Sequence, residues 1–84
     1  MYQHQDFIDN PGKYRLFKTA RVAQNVFTHN GQNDLSAGTF VSLEFFGALR
    51  NQLRRRDEPV FSIKTQDGQF WGHLYASGLT DFCL

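Results

Sequence analysis

Val60-Phe61-Ser62-Ile63-Lys64-Thr65-Gln66-Asp67-Gly68-Gln69-Phe70-Trp71-Gly72-His73-Leu74-Tyr75 reads as two strands joined by a tight turn. Val60, Ser62 and Lys64 alternate with Phe61, Ile63 and Thr65, the two-residue period of a strand between a core and solvent. Phe70 to Tyr75 forms a second run after Asp67-Gly68. An Asp-Gly pair between two such runs is a hairpin signal, because tight turns need a positive φ that glycine adopts without strain.

Upstream, Thr39 to Phe46 carries the clearest single strand. Val41, Leu43 and Phe45 make a wholly apolar face that should meet the core. Phe40, Ser42, Glu44 and Phe46 take the opposite face, which leaves Phe40 and Phe46 outward or partly covered. Gly38 supplies a positive φ before this strand. Further upstream, Tyr14, Leu16, Ala20 and Val22 alternate with Arg15, Lys18 and Arg21, which predicts a first strand that Val26 and Phe27 extend. Thr28 to Asp34 is polar, contains Asn30-Gly31, and reads as a turn or loop. Downstream, Ser77-Gly78-Leu79 reads as a tight or one-turn helical segment, and Thr80 to Leu84 as a short closing strand. Residues 1–12 form an N-terminal extension: Asp6 to Asp9 admit one helical turn ended by Asn10-Pro11-Gly12, and the preferred reading is a tail pinned by Phe7 and Ile8.

Residues 47–58 admit two readings. Ala48, Leu49 and Leu53 have helical spacing, and Arg50, Gln52 and Arg54 are good helix formers. A short helix near 48–55 and a long loop both fit, and Glu58-Pro59 ends either one. Strands and turns at this spacing predict a mainly β chain: a small five-stranded, strongly bent barrel over residues 13–84, which removes exposed sheet edges. The length of 84 residues fits one domain. With 15% aromatics, large flat side chains supply much of its buried area.

The order of these elements resembles the Src-homology-3-like small barrels and their bacterial relatives, over residues 14–84. Leu35-Ser36-Ala37-Gly38-Thr39-Phe40-Val41 looks like the Gly-Thr opening of their second strand. Asp67-Gly68 looks like their tight hairpin, and Tyr75-Ala76-Ser77-Gly78-Leu79-Thr80 like their 3₁₀ turn and last strand. The resemblance implies a small bent barrel. The eukaryotic peptide-binding members carry an acidic first loop, whereas this loop offers Asn30, Gln32, Asn33 and only Asp34.

The charge balance, 9 basic against 8 acidic residues for a net +1, lacks the bulk signature of a nucleic-acid binder. One cysteine, Cys83, makes neither an internal disulfide nor a cysteine-based zinc site, so a reducing, cytoplasmic setting is expected. No run approaches the roughly 20 apolar residues of a membrane span, and Met1 to Asp9 does not read as a secretion signal. His4, His29 and His73 have no metal-ligand spacing. The carboxylates Asp6, Asp9, Asp34, Glu44, Asp57, Glu58, Asp67 and Asp81 fall mostly in turns and form no acid–base pair. Gly68 and Gly72 read as hairpin glycines rather than a phosphate loop. The expectation is a protein that is not an enzyme and uses no metal or cofactor.

Two features stand out. Arg50, Arg54, Arg55 and Arg56 place four of the nine basic residues within seven positions. They suit an acidic protein surface or phosphates, or they form a solvated loop beside Asp57 and Glu58. The adjacent pairs Phe45-Phe46 and Phe70-Trp71 each turn one ring outward, unless the N-terminal tail covers it. The expected function is a protein-interaction module, a small accessory, adaptor or inhibitor protein of the kind frequent among phage and mobile-element products. Its expected binding residues are Arg50, Arg54, Arg55, Arg56, Phe46 and Trp71, and its partner another protein rather than a membrane. The alternative is a nucleic-acid-binding small barrel using the basic residues of 50–56 and Lys13, Arg15, Lys18 and Arg21.

Overall fold

The computed structural model describes residues 1–28 and 34–84. The expected Asn30-Gly31 turn and His29 lie outside the described residues. The strands are β1 (Thr19–Val22), β2 (Phe40–Asn51), β3 (Arg56–Lys64), β4 (Phe70–Tyr75) and β5 (Leu79–Cys83). They form one antiparallel sheet in the order β4-β3-β2-β1-β5. One short helix, α1 (His4–Asp9), precedes them, and Pro11–Arg15 and Ala76–Gly78 are 3₁₀ turns.

The β3–β4 hairpin closes at Asp67-Gly68, with Gly68 at φ 82°. Asp67 holds the turn by accepting hydrogen bonds from the Thr65 hydroxyl and the Gln69 N–H. Gly38 has φ 87° ahead of β2, where its N–H donates to the Val22 carbonyl at 2.7 Å. Along β2, Val41 and Leu43 are buried and Phe45 is half-buried, while Phe40, Ser42, Glu44 and Phe46 are exposed. The alternation in the sequence thus sets the inner face. Ala20, Val22, Phe61, Ile63, Ala76 and Leu79 complete the centre of the core with no exposed surface. Burying each of the larger aliphatic or aromatic side chains contributes about 1.5–3 kcal/mol.

Residues 47–58 hold neither a helix nor a long loop. β2 runs on to Asn51 and β3 starts at Arg56, paired from Ala48↔Pro59 through Asn51↔Arg56. The helix-forming residues are used for a single turn: the Arg55 N–H donates to the Asn51 carbonyl at 2.7 Å, an i→i−4 bond that is not continued. Ladder pairing on both sides then overrides local propensity. Pro59 is tolerated in β3 because the β3–β4 ladder begins one residue later, at Val60↔Tyr75.

The first strand is shorter than its alternation implies. Pro11 occupies the first turn of a 3₁₀ segment, where its missing N–H costs nothing. Tyr14, within that segment, is buried rather than alternating at a sheet surface. The N-terminal residues cover a different region from the one expected. Tyr2 is 8% exposed and stands edge-on to Tyr14 at 5.7 Å; Phe7 and Phe17 meet the same Tyr14 ring at 5.6 and 5.2 Å. Phe82 joins this cluster and reaches Phe61, so the tail seals one end of the core. Ile8 is 57% exposed and pins nothing. Asp6 fixes the segment by accepting from the Lys13 ammonium and the Tyr14 hydroxyl, both at 2.8 Å. These two bonds, Lys13 first, hold the Asp6 carboxyl below its ordinary range. Burial, joined by the Asp6 hydrogen bond, raises the Tyr14 hydroxyl.

Candidate interaction surface

The arginines lie at the end of the β2–β3 hairpin, and Asn51 shapes that end. Its buried side chain accepts from the Leu53 N–H at 3.1 Å and the Arg54 N–H at 3.3 Å through Oδ1. Arg55 then takes a left-handed conformation, φ 56°, which closes the loop into β3. Gln52 to Arg55 are all exposed, and Leu53, at 89% exposure, stands out at the tip.

Arg56 differs from the other three. Its Nε donates to Glu58 Oε2 at 2.7 Å, and the Glu58 side chain has no exposed surface. The Ser77 N–H donates to Glu58 Oε1 at 3.2 Å, and Asn51 Nδ2 approaches the same oxygen at 3.4 Å. Burial pushes the Glu58 carboxyl up, but the Arg56 and Ser77 hydrogen bonds outweigh it and hold the group below its ordinary range. Arg56 also lies over the Tyr2 ring, 5.8 Å from its centroid. It is a structural residue that ties the hairpin to the N-terminal segment and, through Glu58, to the 76–78 turn. Burial of the phenol, with Glu58 nearby, pushes the Tyr2 hydroxyl up to about 12.

Arg50, Arg54 and Arg55 are exposed, and among the described residues the salt bridges are Lys13–Asp6 and Arg56–Glu58. The Tyr75 hydroxyl donates to the Arg50 carbonyl at 2.6 Å, which locks β4 to this end of β2. Phe46 sits where the β2–β3 register shifts, between Phe45 and Gly47, and the bulge turns its ring out at 57% exposure. It contacts His73 at 4.5 Å, and His73 contacts Phe70 at 5.5 Å. Phe46, Leu49, Val60, His73, Leu74 and Tyr75 line a shallow groove on this surface. On the other side of Tyr75 lies a second groove, with Val26, Phe27, Leu53, Arg54 and Gly78 in its walls.

The structure therefore leaves Phe46, Arg50, Arg54 and Arg55 exposed, with Phe46 in the wall of the first groove and Arg54 in that of the second, and gives Arg56 a different role. Trp71 is half-buried against the core, and Phe70, at 60% exposure, is the outward ring of its pair. The basic residues of 13–21 are largely engaged elsewhere. Lys13 bonds to Asp6, Arg15 covers Phe45 at 4.9 Å, and Arg21 covers Phe40 at 5.5 Å while donating to the Gly38 carbonyl. Leu49, Leu53, Tyr75 and Phe27 belong to the surface but are not evident from sequence. The available signal was Leu53 between Gln52 and Arg54, an apolar residue inside a polar turn, which helical spacing disguised.

No family model, no curated protein and no solved structure matches the chain. Among the described residues, no group of three or more His, Cys, Asp and Glu is placed to hold a metal ion, and no helix is long and apolar enough to cross a membrane.

Proposed function

We propose that this chain is a non-catalytic protein-interaction module, an accessory, adaptor or inhibitor protein that acts through the end of the β2–β3 hairpin. The observation that carries this reading is Leu53. An apolar side chain held 89% exposed on a turn fixed by two Asn51 hydrogen bonds gains nothing for folding. Apolar surface presented on a preorganised turn suits a partner that buries it, because little ordering entropy remains to be lost. Exposed Phe27, Phe46 and Leu49, at 75%, 57% and 46%, extend the same surface.

We also read the sheet as a strongly bent Src-homology-3-like barrel. The order β4-β3-β2-β1-β5, a β2 of 12 residues and the 3₁₀ turn between β4 and β5 support that reading. A protein partner is favoured over nucleic acid because Lys13, Arg15 and Arg21 are engaged within the chain, which leaves a small cationic set.

The test is affinity capture from the native cell with the wild type and Leu53→Asp side by side. One protein retained in stoichiometric yield by the wild type and lost with the variant is expected. Equal recovery with both chains, or no retained protein, refutes the reading.

A further inference from the structure

We infer that the outer face of β2, β3 and β4 seats a second copy of this chain, in a weak two-fold dimer that pairs Glu44 with the partner subunit's Lys64 and Phe46 with the partner subunit's Phe70. Leu53 and Phe27 lie outside this face, in the walls of the second groove, so the dimer stands independently of the hairpin-end partner. The ladders set the pattern. Ser42, Lys64 and Phe70 form one cross-strand row, and Glu44, Ser62 and His73 form the next. Phe46 lies beyond the second row, 4.5 Å from His73. All but Ser62 are exposed, Phe46 at 57% and Phe70 at 60%. Aromatic rings joined through His73 and left this open on a sheet face mark a contact surface.

Charge and symmetry select the occupant. Glu44 and Lys64 are diagonal neighbours on adjacent strands, yet neither is in a salt bridge among the described residues. One acid and one base give the face no net charge to attract a partner of either sign. A second copy matches both, because a two-fold contact puts residue i on j and j on i. Phe46 on β2 and Phe70 on β4 end a longer diagonal that runs parallel to the Glu44–Lys64 one, with Ser62 midway. An axis lying over Ser42 and Ser62 therefore brings both pairs together at once. The two serines let the copies approach closely at that axis, and the strands cross steeply, the orthogonal mode of sheet packing. A face of so few side chains falls well short of the roughly 20–30 residues a side of a stable interface, so association is weak and needs high concentration.

The test is sedimentation equilibrium at low salt, from low micromolar to near-millimolar chain. The wild-type average mass should rise with concentration towards twice that of the monomer. Glu44→Lys and Lys64→Glu should each stay monomeric, because each sets like charges together at both symmetry-related contacts. An equimolar mixture of the two variants should dimerise again, since every contact then joins opposite charges, a rescue that misfolding does not produce. Leu53→Asp should dimerise as the wild type does. A wild type that stays monomeric, single variants that dimerise like the wild type, or a mixture that stays monomeric overturns the dimer. Loss of association with Leu53→Asp overturns it as well, and moves the contact between copies to the hairpin end.

Discussion

Arg56→Met removes the one guanidinium that faces a fully buried carboxylate, and its cost follows from the surroundings. Glu58 would keep the Ser77 N–H at 3.2 Å and Asn51 Nδ2 at 3.4 Å, both longer than the 2.7 Å bond it loses. Breaking a buried ion pair from one side costs about 3–5 kcal/mol, because the remaining charge stays buried. The low end applies, since the Arg56 side chain is 33% exposed and two donors remain. A loss of about 3 kcal/mol is a large part of the roughly 4–13 kcal/mol expected for a chain of this length. It corresponds to a fall in Tm of about 12–24 °C for a domain of this size.

The pH dependence separates this mechanism from simple loss of packing. In the wild type the Glu58 carboxyl is held below its ordinary range, so the unfolded chain takes up this proton at a higher pH than the folded one. The stability from the pair is complete above the ordinary glutamate pKa of about 4.3 and is lost as the pH falls through the folded-state value. In Arg56→Met, burial acts with fewer opposing donors and the folded-state pKa rises, so acid relieves the buried charge. The stability gap between the two proteins should be widest at neutral pH and narrow on acidification. Urea unfolding followed by the fluorescence of Trp71, the chain's one tryptophan, measures the gap. A gap under about 1 kcal/mol at neutral pH, or one that is constant with pH, rules out this role for the Arg56–Glu58 pair.

Tyr2→Ala should destabilise the fold by about 3 kcal/mol, measured by urea unfolding, because Tyr2 is 8% exposed and closes the aromatic end of the core. Gly68→Val should lower stability by about 1–2 kcal/mol in thermal melts, since φ 82° is strained for any side chain. Gly12→Ala, where an added Cβ meets nothing within 4 Å and no positive φ is required, should leave the melt unchanged. Leu53→Asp should shift stability by no more than about 0.5 kcal/mol while abolishing partner capture.

Where sequence and structure agree, two local rules act together. The Asp67-Gly68 turn and the Val41, Leu43, Phe45 alternation each specify backbone and burial at once, and both β2 and the β3–β4 hairpin follow them. Residues 47–58 were not legible because their helical propensity is real but satisfied by one turn, and long-range pairing of β2 with β3 decides the rest. Tyr14 misled for a related reason: alternation in 13–22 is shared by a 3₁₀ turn and a four-residue strand. In the candidate surface, a cluster of arginines is visible in the chain, but the acid that occupies one of them is not. Glu58 is placed against Arg56 by the β3 backbone and the 76–78 turn, and that contact separates a structural arginine from three exposed ones. The choice between Phe70 and Trp71 likewise needs the register shift in the β3–β4 ladder, between Ile63 and Lys64, which no alternation rule supplies.

The β2–β3 hairpin end is the proposed seat of a protein partner. Hydrogen exchange of the chain alone and in complex with its captured partner measures this directly. Exchange should slow at Leu53, Arg54 and Arg55 and along Phe46 to Arg50, with the 13–21 segment unchanged. Protection confined to residues 13–21, or spread evenly over the molecule, would contradict it.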